Sequence, residues 1–250
     1  MKHFSPENKT FLKVVKSSLE PSYRIICFPH GGGSVQAFRN WSNYLPEDIE
    51  LICLDLPGRG KRSAEAAIRS MNELVSVVTE ALQAYSDRPF IFFGHSMGAL
   101  VAYEIARSLE GADRPSPFHL VVSAHESADV DVPMYRCSDD ELTDLVRTLG
   151  MVPTEALANE KLLLDFILPP LRADFELAET YDRSLATPLK AAITAMGGLK
   201  EELLNANDLD EWRRLTTSRF ARIMFDGDHF FPHSMTEEVV SSLLREVSVG

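Results

Sequence analysis

An α/β fold, with a mostly parallel central sheet and helices on both faces, is what the order of the chain predicts. Short apolar runs rich in Ile, Val and Phe recur along it, as strands buried on both faces require. Stretches of helical periodicity separate these runs, and such alternation yields parallel sheets covered on both sides. The length of 250 residues, 45% of them hydrophobic and 25% charged, suits a single domain over 1–250 that buries a full core without staples.

The strand candidates are Arg24–Phe28, Glu50–Leu54, Phe90–Phe93, Phe118–Ser123, Ala191–Met196 and Phe220–Phe225, with a weaker one near Thr10–Val15. Between them, Met71–Tyr85 sets Leu74, Val77, Val78, Ala81 and Leu82 on one helical face, and Met97–Leu109 carries a similar stripe. Thr236–Leu244 supplies a final helix. One segment breaks the rhythm: about residues 125–187 hold no clear strand, only helical patterns at Glu141–Leu149, Leu162–Leu168 and Leu171–Tyr181. Pro169-Pro170 is expected to end the second of these. An insertion of this length in a compact domain points to a functional lid.

The formal net charge of −12 disfavours a nucleic-acid partner, because an acidic surface repels phosphate backbones. No run approaches the length of a membrane span, and the first residues lack the apolar block of a signal peptide. Three cysteines without CxxC spacing, Cys27 and Cys53 inside apolar runs, read as free thiols. A reduced, cytoplasmic protein is expected, with a monomer as the default state.

The strongest local signal is Gly94-His95-Ser96-Met97-Gly98, set between the strand FIFF and a helical stripe. G-x-S-x-G in a strand–turn–helix context marks a nucleophile, because the serine must stand on a sharp turn where flanking side chains would clash. Ser96 would project at a helix N-terminus, which favours developing negative charge. An oxyanion needs two donors. The Met97 amide is one candidate, and Gly31, in the loop Phe28-Pro29-His30-Gly31-Gly32-Gly33-Ser34 after an early strand, is the other. Residues 31–36 read GGGSVQ and not G-x-G-x-x-G, so a dinucleotide is not expected there. Metal-ligand spacing is likewise absent, and no cofactor is expected.

In the chain order Ser, acid, His, the base follows the last strand. His229, just after FARIMFDGD, fits that position, with His233 in reserve; His30 and His95 read as makers of structural hydrogen bonds. The acid should follow AAITAM, where Gly197-Gly198-Leu199-Lys200-Glu201-Glu202 stands. Glu201 is the first choice, since a carboxylate one methylene longer than aspartate still orients an imidazole. Glu202, Asp208, Glu126 and Asp129 remain alternatives.

With these motifs in order, the chain resembles the α/β-hydrolase superfamily, and within it the type II thioesterases, the stand-alone editing enzymes of polyketide and non-ribosomal peptide assembly lines. FPHGGG at 28–33 is similar to the family's FPHAGG segment, LDLPGRGKR at 54–62 to its PGRG motif, and GHSMGA at 94–99 to its nucleophile elbow. LPPLRAD at 168–174 resembles a lid segment and TAMGG at 194–198 the strand before the acid, while Trp212 and Gly227–Phe231 are similar to the closing motifs. GLKE stands where the family usually shows GDxD, and Gly227-Asp228-His229 replaces GGH. The spacing back from Trp212 puts the family's catalytic aspartate at Glu201.

The resemblance implies an α/β-hydrolase fold, nucleophile Ser96, base His229, oxyanion amides Gly31 and Met97, and an acyl group carried on the phosphopantetheine arm of a carrier protein. Leu162–Leu168 and the Leu142–Leu149 stripe either line the acyl pocket or pack as core. Arg39, Arg59, Lys61 and Arg62 either meet the carrier's acidic face or form a solvated loop. Two rival readings share the motifs: a small-molecule carboxylesterase or lipase, and a non-catalytic descendant that has lost its acid.

Overall fold

The apolar runs assemble into one seven-stranded sheet in the order β1-β3-β2-β4-β5-β6-β7 in the computed structural model, which describes residues 11–125, 133–152, 157–182, 186–201 and 206–248. The strands are β1 (Leu12–Lys16), β2 (Tyr23–Phe28), β3 (Ile49–Leu54), β4 (Phe90–His95), β5 (His119–Ser123), β6 (Ala192–Gly198) and β7 (Phe220–Phe225). From β3 to β7 all neighbours are parallel, and only the edge strand β1 runs antiparallel, to β3. Residues in β3, β4, β5 and β6 are buried throughout, as continuous apolar runs demand, whereas β7 has one neighbour and is only partly covered.

Two layers cover the sheet. On one face lie α1 (Met71–Ala81) and α2 (Met97–Gly111), with Leu74, Val78, Leu100 and Ile105 packed on Ile26, Phe92 and Leu120. The other face is covered by a 3₁₀ segment, Val35–Asn43, and by the last helix, which brings Val239, Val240 and Leu243 onto the core. That 3₁₀ segment is absent from the periodicity reading. Its anchors are Phe38 and Trp41, both about 1% exposed, whose rings meet Phe93 at 5.8 and 4.6 Å. Cys27 and Cys53 are buried and face each other across β2 and β3, and burial pushes the Cys27 thiol well up.

Between β5 and β6 the described residues form α3 (Asp139–Thr148) and α4 (Leu168–Glu179). Helix α3 starts earlier than its apolar stripe because Ser138 and Glu141 close a capping box. The expectation for Pro169-Pro170 is corrected. The prolines open α4 at its first turn, where a missing N–H costs nothing, and a π-helical stretch over Leu163–Ile167 leads into them. Leu142 and Val146 are fully buried against Leu168 and Leu171, so that stripe is the core of the insertion. The last helix, α5 (Thr236–Ser248), follows the loop after β7. No helix among the described residues is long and apolar enough to cross a membrane.

Candidate active site

The candidate site residues gather at the C-terminal edge of the parallel strands. Strand β4 ends at His95 and α2 starts at Met97, so Ser96 must turn the chain sharply between them. It does so with φ 53° and ψ −126°, a conformation that costs a non-glycine residue energy and that the neighbours must hold. The Ser96 amide donates to Ser123 O at 2.7 Å, and the Ser96 carbonyl accepts from Ala99 N at 2.9 Å. The flanking glycines leave no room for side chains. A Cβ at Gly98 would lie 2.2 Å from Phe28 O, and one at Gly94 would lie 2.3 Å from Gly98 O. The elbow is therefore pressed against the loop that leaves β2.

Register explains that closeness. Phe28 of β2 pairs with Gly94 of β4, so the Gly31 loop and Met97 leave the same sheet edge at the same height. Gly31 and Gly32 are held from above by α4. The Cβ position of Gly31 is 3.4 Å from Leu171 Cδ1, and one turn further Asp174 Oδ2 accepts from Gly32 N at 2.7 Å. Asp174 is 2% exposed and is neutralised by Arg59, which donates Nη2 to Oδ1 at 2.8 Å and Nη1 to Oδ2. A buried fork-on-fork pair thus ties the 54–62 loop, α4 and the glycine loop together.

That arrangement corrects the reading of Arg59 as a surface cation, for it is only 4% exposed. Arg62 is also engaged, donating to both carboxylate oxygens of Glu65 and to Asp55 O, while Arg39 and Lys61 are exposed. Asp174 was missed as a site residue. Its partner amide lies 142 residues away in the chain, and only the LPPLRAD resemblance marked the segment.

The acid–base pair comes from the loops after β6 and β7. Gly198 and Gly227 approach so closely that a Cβ on Gly198 would lie 2.3 Å from Gly227 O. Lys200 N donates to the same carbonyl at 2.9 Å. These contacts aim Glu201 at His229, and Glu201 Oε2 lies 2.8 Å from His229 Nδ1 with the carboxylate side chain 1% exposed. The His229 ring sits 5.2 Å from that of His95, the residue before Ser96, which brings base and elbow together. Asp208 lies on a short helical turn, Ala206–Asp210. Glu202, Glu126 and Asp129 lie outside the described residues.

Three further histidines surround the base. His95 is 1% exposed, with Nδ1 3.1 Å from Ser123 Oγ, whereas its Nε2 is buried without a hydrogen-bond partner among the described residues. Nδ1 of His30 is also buried and unpartnered among the described residues, which corrects the reading of His30 as a maker of structural hydrogen bonds at that atom. Burial, and then repulsion from His233, His229 and Arg59, lowers the His30 pKa to about 3. Burial lowers His95 well below the ordinary histidine range as well, and His233 is lowered for the same first reason.

Along α2 a cavity of about 130 Å³ is lined by Leu100, Tyr103, Glu104, His125, Trp212 and Leu215, among others. Leu100 stands one turn after Ser96 on α2, and Trp212 Nε1 donates to His125 O at 2.7 Å, fixing the indole in the cavity wall. Neither Leu162–Leu168 nor α3 contributes to this lining, and Leu164 and Phe166 are exposed at 41% and 53%.

Known proteins match both the sequence and the fold. A family model described as thioesterase domain matches residues 23–247. Gramicidin S biosynthesis protein GrsT of Aneurinibacillus migulanus is 31% identical over 99% of this chain and 97% of its own length. Linear gramicidin dehydrogenase LgrE of Brevibacillus parabrevis is 34% identical over 99% and 97%. Among solved structures, the RedJ thioesterase of the prodiginine pathway in Streptomyces coelicolor superposes with a TM-score of 0.84 at 32% identity, covering 89% of each chain.

Proposed function

The chain belongs to the thioesterase domain family, and on that premise we propose that Ser96, His229 and Glu201 hydrolyse acyl thioesters through an acyl-enzyme. It is a hydrolase of the α/β-hydrolase fold acting on thioesters, of the type II kind that serves polyketide and non-ribosomal peptide pathways. The observation that carries the assignment of roles is the 2.8 Å contact between His229 Nδ1 and Glu201 Oε2, beside a serine held in a strained elbow.

In the proposed reaction His229 takes the Ser96 proton as Oγ attacks the thioester carbonyl. The amides of Gly31 and Met97 receive the charge that develops on the carbonyl oxygen. Glu201 holds the His229 ring in the tautomer that leaves Nε2 free and stabilises the imidazolium. Collapse of the tetrahedral adduct breaks the C–S bond, and the imidazolium proton goes to the departing thiol. A water, deprotonated by His229, then attacks the ester, and the acid leaves as Ser96 recovers its proton.

The acyl group is proposed to arrive on the phosphopantetheine arm of a carrier protein and to lie in the mostly apolar cavity lined by Leu100 and Trp212. Every residue named comes from one chain, so no second copy is needed to complete the site. The dehydrogenase reading raised by the name of one relative is not adopted, because the glycine loop reads GGGSVQ and lacks the dinucleotide pattern.

The test uses matched substrates: an acyl group on a carrier protein, on free pantetheine and on a simple alcohol. Fastest release from the carrier, falling at least about 10³-fold in Ser96→Ala, supports the proposal. Preference for the oxygen ester would favour the carboxylesterase reading, and turnover that survives Ser96→Ala would sink both.

A further inference from the structure

His30, His95 and His233 offer ring nitrogens that all lie within 4.8 Å of one another, the only such group of three or more His, Cys, Asp or Glu among the described residues. From this convergence we propose that the three histidines form a binding site for a divalent transition-metal ion of the zinc type. The site adjoins the acyl-transfer residues, since His95 precedes Ser96 and its ring lies 5.2 Å from that of His229, but uses none of them as ligands.

Several observations beyond proximity point to a ligand. Buried polar atoms in folded proteins almost always find a partner, yet His95 Nε2 and His30 Nδ1 are both buried without one among the described residues. His95 is prepared on its other side, since Ser123 Oγ engages Nδ1 at 3.1 Å, the kind of outer contact that fixes ring orientation in metal sites. The rings do not stack. Their planes meet at 77° for His30 with His95, 87° for His30 with His233 and 71° for His95 with His233. The Phe230 ring packs against all three at 5.0, 5.8 and 5.7 Å and supplies an apolar flank.

An ion held at about 2.1 Å from each nitrogen would draw the pairs to roughly 3.4 Å. His233 is the exposed member of the three, so most of that movement would fall on it. A set of three imidazoles leaves a fourth position for water on the solvent side. Bound there, the ion would staple the glycine loop (His30), the elbow strand (His95) and the loop of the base (His233) into one unit.

The test titrates chelator-treated protein with Zn²⁺ by calorimetry and with Co²⁺ by visible absorption, while following the melting temperature. The proposal predicts one ion per chain, an intense tetrahedral Co²⁺ spectrum and a melting temperature raised by several degrees. His233→Ala, an exposed position that leaves the core intact, should weaken binding at least tenfold and abolish the rise. His229→Ala should retain affinity within about threefold, which separates this site from a fortuitous one built on His229, Glu201 and Asp228. Absence of stoichiometric binding, or equal binding in wild type and His233→Ala, would overturn the proposal.

Discussion

At the scale of single residues, the departure from the family's pattern is the most informative feature. A glutamate stands at 201 where an aspartate is usual, and its extra methylene is absorbed by a loop pinned through Lys200 N to Gly227 O. The longer side chain still brings Oε2 within 2.8 Å of His229. Glu201→Gln keeps that shape but removes the charge that supports imidazolium, so kcat should fall about 10³–10⁴-fold. Glu201→Asp should lose activity as well, because its carboxylate is withdrawn from the ring. Wild-type rates in Glu201→Gln would show that another group serves as the acid. The positions of Ser96, His229 and Glu201 were legible because each follows a strand end that the apolar pattern locates, and the roles proposed for them rest on the 2.8 Å contact of Glu201 with His229. The pairing of Asp174 with Gly32 was not legible, since nothing local links residues so far apart. The histidine cluster was hidden in the same way, its members being drawn from the glycine loop, the end of β4 and the short helix Phe231–Ser234.

At the scale of elements, two junctions control the site. The elbow depends on contact between α2 and the β2 loop, and Gly98→Ala would drive a methyl group to 2.2 Å from Phe28 O. That variant should express poorly or melt well below wild type, whereas Gly111→Ala, where nothing lies within 4 Å of the added Cβ, should be tolerated. The second junction is the Arg59–Asp174 pair. Asp174→Asn leaves a buried guanidinium short of its counter-charge and should cost about 3–5 kcal/mol of unfolding stability. The same change weakens the grip on Gly32, so kcat should drop more than KM changes; an unaltered kcat would mean that the glycine loop holds its shape without α4. Element boundaries were harder to read than element types. Helix α3 began early because of its capping box, and α4 began at prolines that the periodicity pattern treats as a stop. The Val35–Asn43 segment was missed because a 3₁₀ helix lacks the 3.6-residue repeat.

At the scale of the whole molecule, the sheet sets both the site and its tolerance of acid. His119 in β5 is 2% exposed, with Nε2 2.9 Å from Thr194 Oγ1 of β6. Burial first, then Arg219, opposed by Glu246, lowers its pKa to about 4. The unfolded chain therefore takes up the proton first. Stability from this group is complete above the ordinary value of 6.5 and is lost as pH falls from there toward 4. Between pH 7.5 and 5.0 the loss should come to about 2 kcal/mol. Urea unfolding at those two pH values should show a decline smaller by that amount in His119→Asn, and an equal decline in both proteins would contradict the assignment.

The central claim is that acyl transfer passes through Ser96. Intact-mass analysis of the enzyme, quenched within milliseconds of mixing with an acyl carrier protein, tests it most directly. The account predicts a transient adduct equal to the acyl group, located by peptide mapping to the segment that holds Ser96 and missing from Ser96→Ala. An acyl group released without any adduct, or an adduct that persists in Ser96→Ala, would contradict it.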